Sequence, residues 1–289
     1  MSYLTVNNLT HTYGEGTPSR KVAINDISFS LEKGDVLGVI GHTGSGKSTL
    51  VTHLNGLMKP TSGSIILDGK DIWEKPKEIK NIRSKVGLVF QYPEYQLFEE
   101  TVYKDIAFGP ENLGLVGTEL DRSVRSAAAL MKVQDELLDK SPFELSGGEK
   151  RRVAIAGVLA MNPDVVVFDE PTAGLDPIGR ETIFSAIADY RKKNNATIII
   201  VSHSMEDIAS VCNKVLVLNG GRVAYFGDTR TVFSNVSGLA DIGLGVPMIT
   251  SLFEKIKAMH PDLDCSPLTV DEALSFLLSY LGKGGRADA

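Results

Sequence analysis

Polar and apolar residues alternate over 3–9 and again over 22–31 (VAINDISFSL), the period-two pattern of antiparallel strands with one wet face, so the chain is expected to open with a small β layer. At 36–40 the pattern changes. VLGVI is apolar throughout, runs into glycines and is followed by KSTLVTHLNGL, which predicts a buried strand, a loop and a helix. SGSIILDG at 62–69 carries turn residues on both sides of a short strand, and KVGLVF at 85–90 is another apolar strand. From about 100 to 162 the segments are helical, RSVRSAAALMKV at 122–133 among them, with almost no strand signal. The parallel sheet resumes with DVVVFD at 164–169 and TIIIVSH at 197–203, separated by a helix that begins at the N-cap pair Asp176-Pro177. VLVLNGGRVAYFG predicts a closing hairpin. After about residue 230 two amphipathic helices are expected. Met248, Leu252 and Ile256 share one face of the first, a Thr269-to-Glu272 capping box opens the second, and the tail GKGGRADA is expected to fray. The pattern predicts an α/β fold with an N-terminal antiparallel β layer over residues 1–230, a helical subdomain inserted at about 92–162, and a helical extension over 231–289.

Composition narrows the classes. With 289 residues, 43% hydrophobic and 23% charged, the chain is long enough for one large domain with an appendage, and disorder, fibre and repeat arrays drop out. Lys and Arg total 30 against 36 Asp and Glu, a net charge of −6, so no general basic field advertises a nucleic-acid surface and no nucleic-acid partner is expected. The opening MSYLTVNNLTHTYGEG has neither the basic nor the apolar region of an export signal, and no run approaches the ~18 apolar residues of a membrane span, which predicts a cytoplasmic chain. Cys212 and Cys265 stand far apart with no His cluster beside them, which supports neither a disulfide framework nor a zinc site. Many of the 28 glycines cluster at 41–46, 147–148 and 220–221, where backbone rather than side chains can bind.

Gly41-His42-Thr43-Gly44-Ser45-Gly46-Lys47-Ser48 matches the phosphate-binding pattern GxxxxGK[ST] and sits between a buried strand and a helix start, the context its mechanism requires. Backbone N–H groups of such a loop point at the β- and γ-phosphates, the helix N-terminus adds a partial positive charge, Lys47 supplies a full one, and the Ser48 hydroxyl can bind Mg²⁺. Thr49 can reach the α-phosphate. VVVFDE at 165–170 ends an apolar strand with two carboxylates, Asp169 able to hold Mg²⁺ through water and Glu170 able to polarise an attacking water. Leu145-Ser146-Gly147-Gly148-Glu149 precedes a clear helix and offers a second anion-receiving N-terminus. One nucleotide needs one phosphate loop; a second serine-glycine helix start makes sense if it faces the γ-phosphate held by another subunit.

Over roughly residues 3–230 these motifs, in this order, resemble the ATP-binding-cassette family: Tyr13 as the adenine-stacking aromatic, the phosphate loop at 41–48, Gln91, LSGGE at 145–149, VVVFDE at 165–170, AGLD at 173–176 and His203. Glu149 departs from the family pattern, which more often has Gln there. The resemblance implies a head-to-tail pair of cassettes sandwiching two ATP, each between the phosphate loop of one and Ser146, Gly147 and Gly148 of the other. It further implies that Gln91 senses Mg²⁺ and the attacking water, His203 contacts the γ-phosphate, and Asp176 organises the interface. Repair-type cassettes insert a long coiled coil that this chain lacks; translation-factor cassettes, the runner-up reading, resemble two tandem modules where this chain has one.

The segment QYPEYQLFEETV at 91–102 with KDIAFGPENLGL, and SPFELSGGEKRRVAIAGVLAM, are similar to the energy-coupling-factor transporter ATPases, while GHTGSGKST and HLNGLMKPTSG point to the second of their two non-identical ATPase subunits. That resemblance implies an ATPase on the cytoplasmic face of the cell membrane, paired with a second, non-identical cassette. Its other partners would be a transmembrane scaffold and small substrate-binding membrane proteins, for uptake of vitamins or transition-metal ions. Riboflavin, folate, biotin, cobalt and nickel all remain open as cargo, as does a dedicated metal importer. Glu94, Glu99 and Glu100 are expected to offer a groove for basic residues of the scaffold. The apolar faces of Met248, Leu252, Phe253 and Ile256, and of Leu274, Leu277, Leu278 and Leu281, are expected to pair with the partner ATPase.

Overall fold

The structure is a computed structural model that describes residues 2–260 and 265–284, the last four of these by backbone alone. Leu281 and the end of the tail, two features of the sequence reading, lie outside the described side chains. In chain order the elements are β1 (Leu4–Tyr13), β2 (Lys21–Leu31), β3 (Val36–Ile40), α1 (Lys47–Leu54), β4 (Ser62–Leu67), β5 (Lys70–Asp71), α2 (Ile79–Lys85) and β6 (Val86–Val89). The helical stretch α3 (Val102–Asn112), α4 (Gly117–Leu130) and α5 (Gly147–Ala160) follows. Then come β7 (Val165–Asp169), α6 (Pro177–Asn194), β8 (Thr197–Val201), α7 (Met205–Val211), β9 (Lys214–Asn219) and β10 (Arg222–Asp228). The chain ends in α8 (Thr229–Ser234), α9 (Val236–Asp241), α10 (Met248–Met259) and α11 (Val270–Gly284).

The two hydrophobic patterns become two sheets. Alternating β1 and β2 pair antiparallel, and with β4 and β5 they form a four-stranded sheet in the order β2-β1-β4-β5. The continuously apolar strands form a six-stranded sheet, β10-β9-β3-β8-β7-β6, parallel except where β10 turns back on β9. Both faces of β7 and β8 are covered, which is why their sequences do not alternate. Val165, Val167, Ile199 and Val201 face a core shared with Leu50, Val51 and Leu54 of α1 and with Leu4, Val6 and Leu9 of β1. Val166, Phe168, Ile198 and Ile200 face the other way, into a core built with α3, α4, α5 and α6. Helix α1 thus belongs to the core joining the two sheets, and the loop before it is held from both sides. The phosphate loop, Asp169, Gln91 and His203 follow β3, β7, β6 and β8 and so gather at the carboxyl edge of the parallel strands, where open α/β sheets bind ligands.

After β10 the described residues form four helices rather than the two expected. α8 and α9 are six residues each, too short to display a period, and they bury Val232, Phe233 and Leu239 in the main core. The box at Thr269 is half made. Thr269 Oγ1 accepts the Glu272 N–H at 3.2 Å, but the Glu272 carboxylate turns to the Leu268 N–H and to Arg230, 2.9 Å away. Phe253 is buried edge-on against Phe276, leaving Met248, Leu252, Leu274 and Leu278 exposed. Among the described residues no helix is long and apolar enough to cross a membrane.

Candidate active site

The loop after β3 is shaped by what a side chain would strike. Gly41 (φ +150°) and Gly46 (φ +103°) both have left-handed backbones; a Cβ on Gly41 would collide with the Leu218 carbonyl, and one on Gly46 would come within 2.7 Å of Ile24 and 2.8 Å of the Ala23 carbonyl. Gly46 then caps α1 without any side-chain hydrogen bond, and no acidic residue stands in the first turn, so the helix presents unsatisfied N–H groups at its start. Lys47 is buried, with Nζ donating to the carbonyls of Gly41 at 2.5 Å and His42 at 3.0 Å. Burial lowers its pKa, while the carboxylates of Glu170 and Asp169 pull the other way.

A cavity of about 430 Å³ opens above this loop. Thr43, Gly44, Gly46, Lys47, Ser48 and Thr49 line its floor; Tyr13, Gln91, Asp169, Glu170 and His203 line its walls. Tyr13 reaches over α1 with its hydroxyl 3.3 Å from Thr49 Oγ1 and its ring edge-on to His11, centroids 4.5 Å apart. Glu170 has a left-handed backbone (φ +52°), its N–H donating to the Val201 carbonyl at 3.0 Å. Its pKa is pushed up to about 7, first by burial and then by the Asp169 charge beside it. Burial also raises Asp169. His203 Nε2 lies 3.6 Å from Glu170 Oε1, while burial and the charges of Lys47 and His42 lower its pKa.

Three observations fit a polyphosphate with a hard divalent cation. The α1 N-terminus is uncapped; Ser45 Oγ and Glu170 Oε1 are buried without a hydrogen-bond partner; and Ser48, Gln91 and Asp169 offer a hydroxyl, an amide carbonyl and a carboxylate, oxygen ligands suited to Mg²⁺.

The other sequence-predicted residues lie elsewhere. His42 belongs to the loop, but its imidazole leaves the cleft, Nε2–H donating to the Ile242 carbonyl at 2.8 Å. Ser146, Gly147, Gly148 and Asp176 do not line the cleft at all. Ser146 caps α5 in a box with Glu149: the Glu149 carboxylate accepts the Ser146 N–H at 2.8 Å and its hydroxyl at 2.6 Å. Asp176 caps α6, accepting the Gly179 N–H at 2.8 Å. The expected acidic groove is largely neutralised, since Glu94 is paired with Arg151 and Glu100 with Lys104. Sequence reasoning missed Lys21, which lines the cleft from β2 because it pairs directly across from Tyr13, and nothing local marks it among surface lysines.

A family model for ABC transporters matches residues 24–173, the stretch from β2 through the phosphate loop and LSGGE to the turn after Glu170. The chain belongs to the ABC transporter family. Over 276 residues it is 51% identical to the energy-coupling factor transporter ATP-binding protein EcfA2 of Caldanaerobacter subterraneus subsp. tengcongensis, covering 96% of both chains. Among solved structures it is similar to cbiO1 from Clostridium perfringens, part of the ABC transporter complex cbiONQ, with a TM-score of 0.74 and 38% identity over 88% of this chain and 99% of that one. A dimeric post-hydrolysis structure of the ATP-binding cassette MJ0796 bound to ADP and Pi gives a TM-score of 0.70 and 26% identity, covering 78% and 99%. Within the ABC family the chain falls among the energy-coupling factor ATP-binding subunits, and its activity is ATP hydrolysis coupled to transport.

Proposed function

We propose that this cassette powers uptake of vitamins or transition-metal ions, working as one of two non-identical ATPases at the cytoplasmic face of the membrane beneath a transmembrane scaffold and small substrate-binding membrane proteins. The observation that carries the reading is the half-built site. One chain assembles a phosphate loop, two carboxylates, a glutamine and a histidine around an open cleft, while its own Ser146, Gly147 and Gly148 stand outside it. A second cassette supplies the missing wall.

In that arrangement the loop N–H groups and Lys47 bind the β- and γ-phosphates, Tyr13 stacks on the adenine and Thr49 reaches the α-phosphate. Ser48, Gln91 and Asp169 would hold Mg²⁺, which would supply positive charge to the phosphate oxygens. Glu170, once ionised, orients and polarises the attacking water, and His203 donates to the γ-phosphate. The serine-glycine helix start of the facing cassette completes the cage, while Ser146 and the N–H groups of Gly147 and Gly148 do the same for the nucleotide held by that partner, with Asp176 at the interface. The exposed apolar residues of α10 and α11 suit pairing with the equivalent segment of the partner ATPase. A groove of about 610 Å³ between the six-stranded sheet and the helical layer, with Phe90, Phe98, Phe108 and Met161 in its walls, suits a helix of the scaffold.

The test is to tag the chain in its native cell, solubilise membranes gently with Mg-ATP, and identify what is retained. A different cassette ATPase together with a polytopic membrane protein supports the proposal. A lone soluble homodimer, or ribosomes, defeats it.

A further inference from the structure

We propose that Arg151 is a positioning residue for ATP turnover, a strut behind the cleft that fixes the spacing between the Gln91 segment and the Glu170 turn. Arg151 stands in the second turn of α5, just past LSGGE, and is only 3% exposed. Its guanidinium uses all three nitrogens at once. Nε donates to Glu94 Oε2 at 2.9 Å and Nη2 to Glu94 Oε1 at 2.6 Å, a bidentate pair, while Nη1 donates to the Ala173 carbonyl. The Tyr92 ring lies 5.7 Å from the guanidinium carbon. Ala173 in turn donates its N–H to the Glu170 carbonyl at 3.2 Å. A continuous path therefore runs from Gln91 through Glu94, Arg151 and Ala173 to Glu170, and both of its ends line the nucleotide cleft.

The path is stiff for identifiable reasons. The guanidinium is planar, so its three bonds fix Glu94 and Ala173 relative to each other as well as to α5. At each end a non-glycine residue is held left-handed, Tyr92 at φ +55° and Glu170 at φ +52°, conformations that persist only where the surroundings over-determine them. A buried ion pair adds little net stability over an apolar pair of the same shape, so its distinctive contribution is geometry. Because α5 also carries Ser146, Gly147 and Gly148 at its N-terminus, the same residue ties the surface offered to the facing cassette to the two walls of this chain's own site.

The proposal rests on the roles of Gln91 and Glu170 given above. Its test uses the full-length chain in the membrane assembly that co-purifies with it, reading kcat and KM for ATP alongside the melting midpoint. Arg151→Lys keeps the charge but loses the fork, and should lower kcat about 10- to 100-fold with KM within about twofold, the pattern of misplaced reacting groups. The double variant Arg151→Met/Glu94→Gln leaves no unpaired buried charge, so its melting midpoint should return while kcat stays low. Recovery of kcat together with the melting midpoint would make Arg151 merely structural and overturn the proposal. Should the double variant fail to fold, the kcat-against-KM split of Arg151→Lys decides. Lys47→Ala serves as the control: if it still turns over ATP, the site reading itself has failed, whereas a dead Lys47→Ala beside a fully active Arg151→Lys refutes only the strut.

Discussion

The two helices that begin with glycine-rich loops, α1 and α5, end in opposite states. α1 starts at Gly46 with no side-chain cap and no acid, and a lysine folded back over its own loop carbonyls. α5 starts with a complete capping box, Ser146 and Glu149 satisfying each other, and Gly147 is exposed, with open space where a Cβ would stand. The first is a socket whose backbone donors lack partners until an anion arrives. The second is satisfied alone, and its carboxylate opposes an anion. Under the proposed function the difference separates binding from closure: nucleotide would dock on α1, and α5 of a second cassette would engage only when the two subunits meet.

The sharpest break comes at α1. Lys47→Ala should abolish ATP binding and bring turnover to background, measured by nucleotide titration; retained binding would remove α1 from the argument. Next, Glu170→Gln should keep ATP bound while lowering kcat about 100-fold or more, and should trap the closed pair of cassettes, visible by size-exclusion chromatography with ATP. A third change addresses α5 alone. Gly147→Ala has room in the isolated chain and a helix-compatible backbone, so the melting midpoint should hold or rise slightly, while turnover in the assembly falls about tenfold as the new methyl meets the facing nucleotide. Equal loss in isolated and assembled protein would argue against a facing subunit. Fourth, Glu149→Gln removes the charge but keeps a capping side chain, and should lower KM for ATP about two- to fivefold, less at high salt. The smallest effect is on pH. Its bonds to Ser146 hold the Glu149 carboxyl below the usual range, so the ionised cap stabilises above that range and is lost as pH falls through the lowered pKa. The melting difference between wild type and Glu149→Ala should therefore persist from pH 7 to 5 and close below about pH 4.

What the sequence made legible follows from how local the physics is. The phosphate loop could be read because its chemistry is backbone geometry encoded by adjacent glycines, and β3, β7 and β8 because strands buried on both faces are written as unbroken apolar runs. Asp169 was legible as the acid that ends β7, whereas Gln91, after β6, and His203, after β8, came from the family resemblance. The acids after Gln91 read as a groove for basic residues of a scaffold, but α5 brings Arg151 to Glu94 from 57 positions away. Glu272 likewise looked like a capping residue because Arg230, its partner in space, is remote in the chain. Lys21 enters the cleft only through hairpin register. In each case the deciding contact was tertiary, and local pattern carries no trace of it.

The bond from His42 to the Ile242 carbonyl has a practical reach beyond anchoring. The strap that follows Ile242 ends at Met248, whose N–H donates to Glu206 at 3.1 Å in the first turn of α7, just past His203. One end of the strap is pinned to the phosphate loop and the other lies near the wall of the cleft that carries His203. Met248 is 79% exposed and its anchoring bond is made by backbone, so a cysteine there keeps the anchor and accepts a dye. A dye on Met248→Cys should therefore change its fluorescence when ATP fills the cleft, read from outside it in real time and without a labelled substrate; an unchanged signal on saturation with ATP would show that the strap does not sense the site.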